Sequence, residues 1–211
     1  MAASFHGIPT AALDFYEDLE ADNSKAFWTA HKHVYEESVR APIQALVEAL
    51  GPEFGTGKLF RPYRDVRFAK DKTPYKTHQG AIIQLPGRAG RYLHLDAAGL
   101  FVASGRWELS PVEVGRLRDL VDDERQGSAL ETVLASLRRR GYTVREPELQ
   151  RIPSGYPKDH PRADLLRHRS LGAWRQFGAP DWLGTPRART EVAKAWRAMG
   201  PMCDWLDQLA G

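Results

Sequence analysis

Apolar positions recur at helical spacing through the first fifty residues. Leu13, Tyr16 and Leu19, with Phe15 beside them, predict a helix over residues 10–21. Asp22 or Asn23 can cap a second helix, whose apolar stripe runs Phe27, His31, Tyr35, Val39, Ile43, Leu46 and Leu50. Pro42 has no amide to donate, so this helix is expected to kink or restart near residue 41. The Gly-Pro-Glu-Phe-Gly-Thr-Gly run at 51–57 reads as a loop. The period then changes. Phe60, Val66 and Phe68 share one parity and Arg61, Tyr63, Asp65 and Arg67 the other. In an extended segment that gives one apolar face and one charged face. Residues 81–85 and 91–96 read as strands joined by the basic loop Pro86–Gly90, and Asp96-Ala-Ala-Gly99 as a turn into a strand at 100–107.

Helical patterns return at 110–123, where Ser110 caps and Pro111 takes the first position, and at 127–140, ending at Gly141. Short strands are expected at 142–146 and 170–177, separated by a proline-rich loop at 151–161. Thr185-Pro186 opens a last helix bearing Val192, Ala195, Trp196 and Met199, expected to break at Gly200-Pro201. Helices, then strands, then helices predict an α+β fold. Its antiparallel sheet is drawn from residues 58–107 and extended by the later strands, with helices packed mainly on one face. At 211 residues the chain suits a single domain, 1–211.

Composition narrows the class. A hydrophobic fraction of 42% beside 27% charged residues is that of a globular protein, and no apolar run reaches the roughly 20 residues of a membrane helix. The first ten residues lack the basic and apolar regions of a signal peptide, so the expectation is a cytoplasmic protein with no membrane partner. Cys203 is the single cysteine; it excludes an intramolecular disulfide, and its apolar helical setting reads as inert core.

Charge is concentrated in one place. Residues 58–78 hold seven basic residues (Lys58, Arg61, Arg64, Arg67, Lys70, Lys72, Lys76) and two acids, Asp65 and Asp71, a balance of +5 against +3 for the whole chain. Charge packed this tightly repels itself unless something negative answers it.

Within that stretch Arg61, Arg64, Asp65, Arg67, Phe68, Asp71, Lys72, Pro74, Tyr75 and Lys76 complete the pattern R-x-x-R-D-x-R-F-x-x-D/N-K-x-P-Y-K. The stretch resembles a bacterial family called domain of unknown function 2461. Asn23 through Trp28, Gly105-Arg106-Trp107 and Ser154 through Pro161 are similar to that family too. The resemblance implies the fold boundaries and the choice of site, and implies no activity.

As chemistry, Asp65 placed between Arg61 and Arg67 would hold both guanidiniums as hydrogen-bonded forks. Such a clamp suits phosphate or carboxylate, which arginine pairs bidentately. Arg64 joins these candidates. Lys72 and Lys76 add point charges around Pro74-Tyr75, Tyr63 and Tyr75 can hydrogen-bond or stack on a flat ligand, and His94 and Arg106 are expected to border the same face. The reading is recognition of an anionic small molecule bearing phosphate or carboxylate.

Other readings stand beside it. An enzyme acting on a phosphorylated or carboxylated small molecule would use the cations for charge stabilisation, with Asp65, Asp71, Tyr75 and His94 as acid–base candidates. Single-stranded nucleic acid would use cations and rings together, with Arg88 and Arg91 enlarging the surface. A purely structural ion-pair network is the fourth, since residues 1–57 hold nine acids and three basic residues. Against that network, burying so many cations takes nearly one acid each, and desolvation makes such networks poor stabilisers.

No cofactor or metal is expected. Gly51 through Leu59 has one residue too many for a phosphate-binding loop and ends in Leu where Ser or Thr is needed. His31 and His33 fall on different sides of a helix, and His94 with Asp96 lacks a third ligand. At 158–162 Lys158 and His160 would join the site if their loop folded over the sheet, while Asp159 or His160 acting as a helix cap is the simpler account.

Overall fold

The structure, a computed structural model, describes residues 4–65, 67 and 70–210. A six-stranded antiparallel sheet combined with helices makes the fold α+β, as the order of elements predicts. Strands β1 (Thr56–Leu59), β2 (His78–Gln84), β3 (Gly90–Asp96) and β4 (Gly99–Arg106) lie side by side in chain order. After β4 come β6 (Leu171–Gly178) and then the two-residue β5 (Thr143–Val144). Contacts gather the chain into two compact units. One comprises Met1–Gln84, Tyr92–Val102 and Gln176–Lys194; the other comprises Leu85–Arg91, Ala103–Arg175 and Ala195–Gly211.

The first unit opens with α1 (Ala11–Ala21) and α2 (Lys25–Val34). The cap of α2 is Ser24, whose side chain accepts the Phe27 amide at 3.1 Å, and not Asp22 or Asn23; Asn23 is engaged by a distant segment. Six residues of π-helix, Tyr35–Arg40, join α2 to α3 (Ala41–Phe54). The Ala41 amide reaches back to the Glu36 carbonyl, one residue farther than in an α-helix. The wider turn takes up Pro42, so the expected break near residue 41 is a change of pitch in a continuous helical run. The loop expected at 51–57 is also corrected: α3 continues through Gly51 and Pro52 to Phe54, and β1 starts at Thr56. Burial of Leu50 and Phe54 holds this last turn and offsets the backbone bond that Pro52 cannot donate. Strands β1 and β2 pair from Thr56↔Gln84 to Leu59↔Ala81.

In the second unit α4 (Pro111–Asp122) begins with a reciprocal capping box between Ser110 and Glu113. Asp123 caps α5 (Glu124–Arg139) by accepting the Gln126 amide at 2.8 Å. After the proline-rich loop comes the one-turn helix α6 (Ala163–Leu166). Just before it, Arg162 turns inward with its side chain only 4% exposed. It donates to the carbonyls of Val121 (2.7 Å) and Asp122 (3.1 Å) at the end of α4, and to the Glu124 carboxylate (2.9 Å). Gly127 makes room for it: a Cβ there would lie 2.4 Å from the Arg162 Nε.

Helix α7 (Arg187–Asp207) starts among residues of the first unit and ends among those of the second. The break expected at Gly200-Pro201 is absent. Met199, Met202, Cys203 and Leu206 are buried on both sides of Pro201, and that apolar burial outweighs one lost backbone bond. Burial also pushes the Cys203 thiol up to about 11. Among the described residues no helix is long and apolar enough to cross a membrane.

Candidate functional site

The extended strand expected over residues 60–68 does not form as such. Regular pairing ends at Leu59, and the Phe60 amide still reaches the Gly80 carbonyl at 2.9 Å. The arms meet again at an isolated bridge, Tyr63↔Tyr75, flanked by bonds from the Arg64 amide to the Pro74 carbonyl (2.9 Å) and from the Lys76 amide to the Pro62 carbonyl (2.7 Å). Between these contacts one arm carries residues 61–62 and the other residues 76–79. That mismatch breaks the ladder, and Pro62 has no amide to mend it. Arg61, Asp65 and Arg67 therefore sit on an irregular hairpin, described over 60–65, 67 and 70–77, and not on a strand face. Val66 and Phe68, the apolar partners in the expected alternation, lie outside the described residues.

The base of this hairpin is held from three directions within the first unit. The Asn23 side-chain amide donates to the Tyr75 carbonyl (3.0 Å), and its oxygen accepts the Tyr75 amide (3.1 Å), so one side chain does the work of a neighbouring strand. Trp28 stacks on the Tyr75 ring, 4.3 Å between centroids and 8° from parallel. Tyr35 donates its hydroxyl to Gln79 Oε1 (2.8 Å), and the Gln79 amide donates to the carbonyls of Phe60 (2.9 Å) and Gly80 (2.7 Å). Tyr75 is buried by these contacts, and burial raises its phenol above the ordinary value. Tyr63, 5.6 Å away between centroids, remains 49% exposed.

The tip is held by its own charges. Arg64 donates to Asp71 and to the Thr73 hydroxyl (2.6 Å), while Asp71 accepts both the amide (2.9 Å) and the hydroxyl (2.8 Å) of Thr73. The Thr73 donors, followed by Arg64, hold the Asp71 carboxyl below the usual range. Asp65 accepts two parallel bonds from Arg67, at 2.9 and 2.6 Å, which lower its pKa. The fork is with Arg67, and Arg61 acts on Asp65 as a neighbouring charge. Both acids of the stretch are thus engaged. Arg61, Lys58 and Lys70 make no ion pair among the described residues. Lys76 lies over the Phe60 ring at 5.6 Å, and its ammonium is held below the ordinary value by burial and by the charge of Arg61. Lys72 is exposed on the same arm.

Beside the hairpin, β2 and β3 present a pair of stacked histidines, His78 and His94, 4.3 Å apart and 18° from parallel. His94 Nε2 is 3.0 Å from Asp96 Oδ2 and its Nδ1 is 3.1 Å from the Tyr92 hydroxyl. A carboxylate only accepts, so Nε2 carries the proton and Nδ1 accepts from Tyr92. Gly80 clears this face: a Cβ there would lie 2.8 Å from the Tyr92 hydroxyl and 2.9 Å from the Phe60 ring. Burial pushes His78 down to about 4, assisted by the adjoining His94 and by the charge of Lys76. The sequence reading passed over His78, although it stands two residues beyond Lys76 at the start of a strand.

The remaining candidates lie in the second unit. Arg106 donates to Glu113 at 2.6 Å, adding to the capping box of α4. His160 takes the structural role: Nε2 is 3.0 Å from Asp122, and Nδ1 accepts the Arg162 amide at 3.0 Å. Lys158 is exposed in the same loop.

Sheet, hairpin and histidine pair describe an α+β protein whose most cationic element is an irregular loop anchored by aromatic residues. The chain belongs to the family described as conserved hypothetical protein DUF2461, whose family model matches residues 11–205. No curated protein and no solved structure matches the chain.

Proposed function

We propose that the first unit binds a phosphate- or carboxylate-bearing ligand at the hairpin. Arg61 and Arg67 supply the guanidinium contacts, Lys72 and Lys76 add charge, Arg64 shapes the tip, and Asp65 orients Arg67. One observation carries this reading: Arg61 makes no ion pair among the described residues, and beside it Lys76 and His78 are held below their ordinary values by burial first and by neighbouring charges second. Arg61 depresses the protonation of Lys76, and Lys76 and Arg64 depress that of His78. An anion bound among them removes that repulsion, so binding should be coupled to proton uptake at His78.

A second reading, an enzyme acting on such a ligand, draws on the Asp96–His94–His78 array. His94 is oriented on both ring nitrogens, and neutral His78 has no hydrogen-bond partner among the described residues, which suits a proton acceptor.

The test is a thermal-shift screen of phosphorylated and carboxylated metabolites with short oligonucleotides alongside, followed by NMR titration of His78 with each hit. A true ligand raises the melting temperature, moves the His78 midpoint upward, and loses both effects in Arg61→Gln. If no anion stabilises the protein and the His78 midpoint ignores every compound, the proposal fails.

A further inference from the structure

We infer that the second unit carries a separate binding site for a small organic carboxylate with an apolar body. A cavity of about 370 Å³ is lined by Leu109, Pro111, Val114, Arg118, Leu149 and Arg169. That size falls within the range of small-molecule sites, which join an apolar wall to a few placed polar groups. Among the described residues four lining residues are apolar, two are arginines and none is an acid.

Glu113 and Glu148, each next to a lining residue, are already engaged. Glu113 is held by Ser110 and Arg106. Glu148 accepts from Arg145 (2.9 Å), from the Arg169 amide (2.7 Å) and from the Ser170 hydroxyl (2.5 Å). Neither arginine of the cavity makes an ion pair among the described residues, and Arg118 Nε is buried with no hydrogen-bond partner. Two guanidiniums without an ion pair at one apolar wall leave fork donors that a carboxylate takes up in pairs. The bond that the Arg169 amide donates to Glu148 fixes the backbone from which the second guanidinium extends. A single negative charge suits the half-apolar wall better than a dianionic phosphate, whose desolvation costs more. These residues share nothing with the hairpin, so the inference stands independently of the function proposed there.

Isothermal titration of the full chain with octanoate, phenylacetate, 1-octanol and inorganic phosphate tests it. Octanoate and phenylacetate are expected to saturate one site per chain, with octanol at least tenfold weaker. Arg118→Gln and Arg169→Gln should each weaken octanoate at least tenfold, and Arg61→Gln should leave it unchanged. Circular dichroism checks folding; Arg169 is exposed, so its variant decides the matter if Arg118→Gln does not fold. The inference is overturned if neither acid saturates, if octanol binds as well as octanoate, if phosphate alone occupies the site, or if Arg169→Gln binds octanoate normally.

Discussion

Arg162 and the arginines of the hairpin show two ways in which this protein uses the same side chain. Arg162 is enclosed, and its guanidinium is spent on two carbonyls and a carboxylate, closing the end of α4. Arg67 is 77% exposed and meets one aspartate, while Arg61 meets no acid among the described residues. A guanidinium that serves the fold is surrounded by its acceptors. One left in solvent beside other cations keeps donors for something else. Location in the fold, and not residue type, separates the two uses.

The largest expected effect lies on the enclosed side. Arg162→Ala should lower stability by roughly 3–4 kcal/mol in urea unfolding, because it leaves two helix-end carbonyls unpaired and a void beside Gly127. Arg162→Lys should recover little, since one ammonium cannot reproduce a planar fork. Full recovery with lysine would break the comparison.

Acid titration comes next. His78 is held well below its unfolded value, so the unfolded chain binds the extra proton. Its contribution is fully present above about pH 6.5 and is lost as pH falls through the folded value of about 4. The loss should amount to roughly 2–3 kcal/mol in denaturation midpoints measured across that window. His78→Asn should flatten the slope but not abolish it, since burial also holds His168 below its ordinary value.

Smaller again is Asn23→Ala. It frees the Tyr75 amide and carbonyl at the hairpin base and should cost roughly 1–2 kcal/mol. Amide exchange should quicken at Tyr75, Arg64 and Lys76 and stay unchanged in α5. The smallest effect belongs to the tip: Arg67→Ala should leave the unfolding midpoint where it is, while weakening any anion found by the screen. A destabilised Arg67→Ala would place this arginine beside Arg162 and sink the distinction.

The sequence made much of this visible. The strands read at 81–85, 91–96 and 100–107 locate β2, β3 and β4 within three residues at each end, and Ser110 and Pro111 announced α4 through local rules alone. What escaped was whatever depended on distant partners. Asn23 has the chemistry of a helix cap, and only a residue 52 positions away reveals it as the clamp on Tyr75. The alternation of Arg61, Tyr63, Asp65 and Arg67 imitates a strand, but a ladder needs an equal count on both arms, which one segment cannot display. Gly51-Pro52 looked like a loop because burial of Leu50 and Phe54 cannot be read locally. The basic cluster needed no partner to be seen; the histidine stack beside it did.

The π-helical turn at Tyr35–Arg40 acts as an angular setting. Everything that grips the hairpin from the helical side (Asn23, Trp28 and Tyr35) lies at or before that turn. Removing a single residue there would restore ordinary winding and redirect the helical segment that carries all three grips. The hairpin would lose its mooring while every residue that touches it was still present.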